Sequence, residues 1–389
     1  MSGKRVSNMA IKRINRNRIF RYVNNNDRVS KPDISVELGI SMPTVLQNIN
    51  ELIEKGLVQE VGEFKSTGGR KAVAIASIKD AYYALGIDIT QNHIGLVLTN
   101  LSGEVLRHRR IYYPYTHSKE YYKEMANIAL EFLKKEGISD NEFLGAGISI
   151  PGIIDDKKER IAYSHALSVS DIDYDNFSEF IPYKCVFIND ANAASIAEMY
   201  HIENRFNAVY LSLSNSVGGA IIEERRPYLG DNIINNMNDL LYLGDNWRGG
   251  EFGHMTLIPD GKQCYCGKKG CFDAYCSAKA LVKYTDGKLE EFFKKLEKGD
   301  EKLYQIWDEY LSLLAIEVNN LRMVFDCTII IGGYVGSFIE PYISKLREKV
   351  AKLNTFESDG SYLKPCLYPV EASALGAALQ QVESYICKV

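Results

Sequence analysis

The sequence has no apolar stretch long enough to cross a membrane. No uninterrupted apolar run among its 389 residues approaches the roughly 18 residues of a membrane-spanning helix. The N-terminus also lacks the apolar segment of a secretory signal peptide. With 46% hydrophobic and 25% charged residues, the composition is typical of a globular chain. Together these features predict a cytoplasmic protein.

Cysteine is scarce as well. Eight cysteines in a chain of this length are too few for a disulfide scaffold. Three of them, Cys264, Cys266 and Cys271, are clustered, which favours a metal site over disulfide bridges. A simple redox-active cluster of thiols is the alternative.

The chain as a whole also lacks a large net charge, since its formal charge is −4. The distribution is uneven, however. Residues 1–71 carry 13 Lys and Arg against 7 Asp and Glu, a net +6, so residues 72–389 carry −10. A basic head on an acidic body favours a polyanionic partner for the head alone. A merely solvated basic face would give the same numbers.

The head has the pattern of a helix-turn-helix. Apolar residues recur at helical spacing from Ile11 to Val23, with arginines between them. The segment Ser30–Asp33 predicts a capping box at the start of a second helix, which Gly39 ends. A third helix follows a tight turn, with Val45, Ile49, Leu52 and Ile53 as its expected buried stripe.

The outer face of the third helix has the side chains needed to read DNA bases. We predict that Ser41, Thr44, Gln47 and Asn48 face a major groove. Two alternating segments, 57–61 and 71–78, predict a hairpin wing whose Lys65 and Arg70 contact the phosphate backbone or the minor groove. A helical-hairpin protein-interaction module is the alternative for this region.

From residue 83 onward the pattern is α/β. Three apolar strands are predicted near 84–89, 94–99 and 105–112, followed by an amphipathic helix over 121–135. Further buried strands end in small or polar residues: Pro151-Gly152, Asn189-Asp190, Gly218-Gly219 and Gly332-Gly333. Strands that end in this way place chemistry at their carboxyl ends, facing a cleft.

One passage resembles a family signature. Gly250-Glu251-Phe252-Gly253-His254 is followed, after nine residues, by the segment 264–273 (CYCGKKGCFD). The chain is similar here to the ROK family of repressors, open reading frames and sugar kinases, and the resemblance extends from the winged helix to Ala374–Ala378. It implies an α/β, actin-like (ribonuclease H-like) two-lobed ATPase fold with an N-terminal winged helix-turn-helix domain.

The same passage supplies a complete set of zinc ligands. One imidazole and three thiolates, from His254, Cys264, Cys266 and Cys271, match a closed tetrahedral structural Zn²⁺ site. Such a site would fold a loop that has little core of its own. An ordinary core histidine and a thiol cluster are the alternatives.

The resemblance also implies a set of sugar ligands. By analogy with the family, sugar hydroxyls bind Asn189, Asp190, Glu251, His254 and the acid after the last zinc cysteine, which is Asp273 here instead of the usual Glu. Gly152 lies where the family's backbone approaches the sugar ring. Carboxylates and amides suit vicinal hydroxyls because they accept or donate hydrogen bonds in fixed directions. Helix capping is the alternative role for Asp190 and Glu251.

The two phosphate loops of the family's kinases are poor in glycine here. The first reads Asp88-Ile89-Thr90-Gln91-Asn92 and has lost both glycines of the family pattern. The second, residues 214–220 (SNSVGGA), has lost three of five. Because backbone N–H groups must close on phosphate oxygens, these losses predict no kinase catalysis, with Asp190 as the vestigial base.

A short motif, YLGDN, occurs twice, at 228–232 and 242–246. This repeat marks residues 228–241 as a local insertion. A neutral surface loop is the simplest interpretation, and a lid over the cleft or a dimer contact is the alternative.

These patterns predict a sugar-responsive repressor of carbohydrate-utilisation genes. We expect a winged helix over 1–80, a small lobe over 81–190 completed by 371–389, and a large lobe with the zinc loop over 191–370. The expected partners are an operator in double-stranded DNA, a monosaccharide or sugar-derivative effector, and a second copy in a homodimer, with pairing into tetramers left open. The rivals are an ATP-dependent sugar kinase with a DNA-binding arm and a sugar sensor that touches no DNA.

Overall fold

Three helices and a small antiparallel sheet make up the N-terminal part of the protein. The computed structural model describes residues 8–64, 72–202, 206–223 and 237–389. The N-terminal elements are α1 (Asn8–Asn24), β1 (Val29–Ser30), α2 (Lys31–Leu38), α3 (Met42–Glu54), β2 (Val58–Glu63) and β3 (Val73–Ser77). The strands form one sheet in the order β1-β3-β2. This is the predicted winged helix, with β1 as a strand that the sequence pattern did not indicate.

Local sequence signals set the start and end of α2. Ser30 accepts a hydrogen bond from the backbone of Asp33, and the Asp33 carboxylate accepts one from the backbone of Ser30, so the predicted capping box is confirmed. Gly39 ends the helix in the left-handed region, with φ of 62°.

The third helix turns a regular stripe toward the core. The stripe has the spacing i, i+3, i+4, i+7 and consists of Val45, Asn48, Ile49 and Leu52. The prediction that Asn48 lies on the exposed face is therefore wrong, because its side chain is fully buried and donates to the Thr44 carbonyl (2.7 Å). Ile53, expected inside, is 37% exposed.

A five-stranded mixed sheet forms the core of the first α/β half. Its order is β11-β7-β4-β5-β6. The predicted three-strand meander is confirmed, and β7 and β11 continue the sheet in parallel with β4. The elements are β4 (Tyr83–Ile89), β5 (His93–Asn100), β6 (Val105–Tyr112), α4 (Lys119–Glu136), β7 (Phe143–Ile150), β8 (Ile153–Asp155), β9 (Arg160–Ser164), β10 (Val169–Asp173), α5 (Asp175–Ser178), β11 (Cys185–Asn189) and α6 (Asp190–Met199).

The second half is built on a four-stranded sheet with the order β13-β12-β14-β15. Helices from this half bury a large apolar core against the sheet, centred on Trp307. The elements are β12 (Ala208–Leu213), β13 (Val217–Ile222), α7 (Asp273–Cys276), α8 (Lys279–Val282), α9 (Leu289–Glu297), α10 (Glu301–Phe325), β14 (Thr328–Gly332), α11 (Gly333–Gly336), α12 (Ile343–Ala351) and β15 (Leu363–Pro365).

The last helix, α13 (Ala372–Ile386), returns to the first half and lies directly on its sheet. A Cβ at Gly147 of β7 would come within 1.9 Å of the Ala377 carbonyl oxygen, so glycine is required there. Gln381 donates from Nε2 to the carbonyls of Ala146 in β7 (2.9 Å) and of Lys184, the residue before β11 (3.0 Å), which fixes the helix on this side of the sheet. No helix among the described residues is long and apolar enough to cross a membrane.

Candidate functional site

The carboxyl ends of β7 and β11 meet at a cleft between the two sheets. β11 ends at Asn189, whose Oδ1 accepts from the backbone of Asn192 and so caps α6. The Nδ2 of Asn189 donates to the Gly152 carbonyl, just beyond β7 (3.0 Å). Gly152 has φ of 146°, and a Cβ there would lie 2.5 Å from the Tyr163 carbonyl oxygen. Only glycine allows this close turn at the mouth of the cleft.

Five of the six predicted sugar ligands line one cavity of about 310 Å³, which we call cavity A. They are Gly152, Asn189, Asp190, Glu251 and His254. The sequence interpretation missed three aromatic residues of its wall: Tyr163, His165 and Tyr265. Tyr265 lies between two predicted metal ligands, Cys264 and Cys266, and this position in the sequence could have identified it as a residue of the site.

Burial changes the acid–base character of the carboxyl groups in cavity A. Burial, together with the neighbouring Glu251 carboxylate, raises the pKa of Asp190 to about 6, against the opposing effect of hydrogen bonds from backbone N–H groups at the start of α6. Burial also raises the pKa of Glu251, with Arg248 opposing the shift. With a pKa of about 6, the Asp190 carboxyl group exists in both its protonated and its ionised form near that pH, so it can donate a hydrogen bond to a hydroxyl-bearing ligand as well as accept one.

Asp273, the sixth predicted sugar ligand, is not among the residues that line cavity A. Its side chain is buried, and Oδ2 accepts from the backbone N–H of Val217 at 2.6 Å. The expectation that Asp273 faces the sugar is therefore wrong. The carboxylate instead fixes the loop after β12, and burial raises its pKa despite that hydrogen bond.

The predicted metal ligands lie together beside cavity A. The ligand atoms of His254, Cys264, Cys266 and Cys271 all lie within 4.8 Å of one another. The Sγ atoms of Cys266 and Cys271 are 3.7 Å apart. Two thiolates bound to one tetrahedral Zn²⁺ at about 2.3 Å would be about 3.8 Å apart, so the donor set fits this ion.

His254 joins the cysteine cluster to the cavity. Its Nδ1 lies 4.0 Å from the Cys264 sulfur, while Nε2 lies 3.4 Å from the Tyr265 hydroxyl. One ring nitrogen thus faces the thiols and the other faces a side chain that lines cavity A.

A second cavity of about 320 Å³, cavity B, adjoins the first. Its wall includes Asp88 and Thr90 from the first predicted phosphate loop and Ser214 and Ser216 from the second. Burial and the nearby Asp190 raise the pKa of Asp88 to about 7, and the Ser149 hydroxyl that donates to its Oδ1 (2.8 Å) lowers it.

Several backbone N–H groups around cavity B already donate to acceptors within the protein. The N–H of Gly333 donates to the Tyr210 hydroxyl, and that of Tyr334 donates to Ser214 Oγ, both at 3.3 Å. Together with the contact between Val217 and Asp273, these bonds occupy amides around the second loop.

The exposed face of α3 differs in part from the prediction. Ser41 and Gln47 are exposed, and Thr44 is half-buried with its hydroxyl 2.9 Å from that of Ser41. The sequence interpretation missed Asn50, which is exposed three residues after Gln47. Lys65 and Arg70 lie outside the described residues, as do residues 228–236 of the predicted insertion.

At the end of that insertion the chain is well packed. Leu240 and Leu241 are buried, and Leu241 forms an isolated bridge with Ile222. A small cavity of about 70 Å³ lies between Trp247, Leu243 and the predicted ligands Asn189 and Glu251.

These features define a class of protein: a winged helix joined to a two-lobed α/β body with a polar cleft. The ROK family profile matches residues 84–381, and a winged helix-turn-helix DNA-binding profile matches residues 12–59. The chain belongs to the ROK family, which confirms the resemblance found in the sequence.

The curated relatives are similar along nearly the whole chain or along about two thirds of it. A xylose repressor from Bacillus spizizenii is 28% identical over 97% of both chains. The DNA-binding transcriptional dual regulator NagC of Escherichia coli is 24% identical over 70% of this chain and 64% of its own.

Solved structures agree on the fold. A ROK family transcriptional regulator, described as a homologue of the Escherichia coli MLC protein, covers 97% of both chains with a TM-score of 0.73 and 19% identity. A ROK family glucokinase from Streptomyces griseus covers 76% of this chain and 98% of its own, with a TM-score of 0.62 and 21% identity. The predicted fold class, an actin-like two-lobed body behind a winged helix, is confirmed.

Proposed function

We propose that this protein is a transcriptional repressor that releases its operator when a sugar binds in cavity A. One observation carries the proposal: the winged helix is fastened by side-chain contacts to the same lobe that contributes Asn189 and Asp190 to the cavity. The repressor names of relatives that match the whole chain support it.

The functional division we propose follows the predicted boundaries. Residues 1–80 bind DNA, 81–190 with 371–389 form the small lobe, and 191–370 form the large lobe. In support, β3 ends at Ser77 and β4 begins at Tyr83, and α13 packs on β4 and β7.

The winged helix binds DNA through the exposed face of α3. Ser41, Thr44, Gln47 and Asn50 offer hydroxyls and amides, which hydrogen-bond base edges in a major groove. Two copies of the chain in a homodimer would bind half-sites about 10 bp, or a multiple of that, apart.

The sugar is held by carboxyl, amide and imidazole groups. Asn189, Asp190 and Glu251 bind its hydroxyls, and the Gly152 backbone lies against the ring. A structural Zn²⁺ held by His254 and the three cysteines fixes the loop that includes Tyr265. The ion would supply folding energy to that loop, with no part in catalysis.

The chain acts as a sensor without phosphoryl transfer. Phosphoryl transfer depends on donors that hold the transferred group in place. Here the amides of Gly333, Tyr334 and Val217 donate to protein acceptors, and the Asp273 carboxylate adds negative charge beside the second loop.

Sugar binding is transmitted to α3 through α6 and α13. α6 begins at Asp190, whose carbonyl accepts from Ser373 Oγ in α13 (3.1 Å). A Cβ at Gly376 would lie 1.7 Å from the Ala193 carbonyl oxygen, so the backbones of α6 and α13 are in direct contact. A shift of α6 on sugar binding therefore moves α13 with it, and the sugar acts by binding one arrangement more tightly.

The decisive experiment measures DNA release by sugars. The full chain is expected to shift a fragment of its own promoter region in a salt-dependent manner, and one sugar of a panel should abolish the shift. A thermal-shift screen of monosaccharides identifies that sugar, because a ligand of the native state raises the melting temperature. Robust sugar-dependent ATP turnover in a coupled assay, lost in Asp190→Asn, would instead establish the kinase alternative.

Gln47→Ala is expected to weaken operator binding by about 1–3 kcal/mol, the usual contribution of one good base contact. Asn50→Ala should act in the same direction, and sugar binding should be unchanged in both variants. Asn127→Ala removes an exposed amide from α4 and serves as the matched control. Electrophoretic shifts at fixed salt provide the measurement, and an unchanged affinity in both α3 variants would contradict the assignment of this face.

A further inference from the structure

Cavities A and B are two parts of one cleft. Asp190, Ser216 and Tyr265 line both of them. Each cavity has a volume of about 310–320 Å³. Small-molecule sites span roughly 300–1,000 Å³. The joined cleft is therefore larger than one sugar ring requires.

The charges around cavity B disfavour an anionic ligand. Two half-buried carboxyl groups, Asp88 and Asp190, face it. Among the described residues that line it, Lys279 is the one lysine or arginine, and its side chain is exposed. A phosphate placed here would meet two acids and little compensating charge.

The donors and acceptors of cavity B fit a neutral polyhydroxylated ligand instead. Its wall carries hydroxyl and amide groups from Thr90, Gln91, Ser212, Ser214, Asn215 and Ser373. Because the Thr90 hydroxyl already bonds to the backbone of His93 and the Ser373 hydroxyl donates to the Asp190 carbonyl, the other four are the groups that would contact a ligand. The side chain of Tyr334 adds an aromatic surface, which is held by Arg110 with the guanidinium carbon 4.4 Å from the ring centroid. Polar groups beside an aromatic face are typical of sites for neutral ligands with hydroxyl-rich edges.

We infer that cavity B is a second sugar subsite, so that the effector is a neutral disaccharide or glycoside with one ring in each cavity. This rests on the proposed function, since the first ring occupies the sugar site in cavity A. Asp190, between the two cavities, would contact both rings near the glycosidic bond. The residues of the two predicted phosphate loops that line cavity B would thus serve ligand recognition here.

Calorimetric titration of the full-length protein tests the inference. The probes are xylose and glucose, and the disaccharides xylobiose, cellobiose and maltose. At least one disaccharide is expected to bind about tenfold more tightly than its own monosaccharide, a difference of about 1.4 kcal/mol. In Gln91→Trp, which fills the mouth of cavity B, this ratio should fall to about one.

Asn92→Trp is the matched control, because Asn92 is in the same turn and is not among the residues lining cavity B. Its disaccharide-to-monosaccharide ratio should equal that of the unmodified protein. The inference is overturned if no disaccharide binds more tightly than its monosaccharide, if both tryptophan variants behave alike, or if magnesium ATP competes for the cleft. If monosaccharides alone release the operator, the proposed function stands and only the second subsite is contradicted. If no sugar binds or releases the operator, both the proposed function and the second subsite are contradicted.

Discussion

Replacing Cys264 with serine is expected to remove bound zinc and, with it, sugar binding. The purified protein should contain about one zinc ion per chain, and the variant close to none. A neutral hydroxyl is a much poorer ligand than a thiolate for this ion. Metal analysis of the same preparations used for sugar titration measures both effects.

The expected loss of sugar binding follows from the position of the cysteine loop. Tyr265 stands between two of the thiols and lines both cavities, and His254 lines cavity A. The binding energy of a structural zinc, about 10–16 kcal/mol in small zinc-dependent folds, is also the folding energy of the loop that holds it. Without that energy the loop no longer holds these side chains in place, and sugar affinity should fall at least about tenfold.

Cys185→Ser provides the control for this experiment. Cys185 is a free, half-buried cysteine in β11, outside the cluster. Its replacement should leave zinc content and sugar affinity unchanged. If Cys264→Ser lost its zinc and still bound sugar with the original affinity, the loop would have no part in holding the ligand.

The elements that could be predicted from the sequence are those determined by neighbouring residues. The capping box of α2 involves only Ser30 and Asp33, three positions apart, and the cysteine cluster is contained in one short loop. The burial of Asn48 could also have been predicted, since its position fits the spacing of the buried stripe in α3. The prediction places it outside as a group able to read base edges, and asparagine is indeed seldom fully buried.

Other contacts depend on residues far apart in the chain. Asp273 was expected in cavity A because a glutamate occupies that place in the family. Its shorter side chain instead reaches the backbone of Val217, 56 residues earlier. Nothing in the local sequence of either residue indicates this bond, because only the folded chain brings them together. The attachment of the winged helix to α13 likewise involves residues far apart in the chain, so the local sequence does not indicate it.

That attachment combines a shared apolar core with an ion pair between residues 362 positions apart. Arg21 in α1 donates from both terminal nitrogens to the Glu383 carboxylate, at 2.8 and 2.7 Å. Glu383 is only 1% exposed, and the Glu383 charge raises the pKa of Arg21 against the effect of burial. Close by, Asn17 and Arg16 donate to the carbonyls of Ile386 and Val389, and Arg16 also pairs with Glu51 of α3. A continuous set of contacts therefore joins Asp190 to the DNA-binding helix.

Arg21→Met is expected to destabilise the protein by about 3 kcal/mol, because it leaves the buried Glu383 carboxylate without its partner. This value is at the low end for such pairs, since Arg21 retains some contact with solvent. Glu383→Gln in the same chain should recover most of the loss, which a double-mutant cycle in urea measures. Lys119→Met, which breaks an exposed pair with Glu179, should cost less than about 1 kcal/mol.

The double variant separates stability from signalling. With both charges removed, this ion pair no longer fixes the winged helix to the end of α13, although the apolar core that the winged helix shares with Val382 and Ile386 of α13 is intact. Operator binding without sugar should persist, but release should require more sugar, because movement of α6 and α13 reaches α1 less completely. Release at an unchanged sugar concentration would show that the signal reaches α3 by another route, for instance through Asn24, which donates to the Leu101 carbonyl and accepts from Ser102.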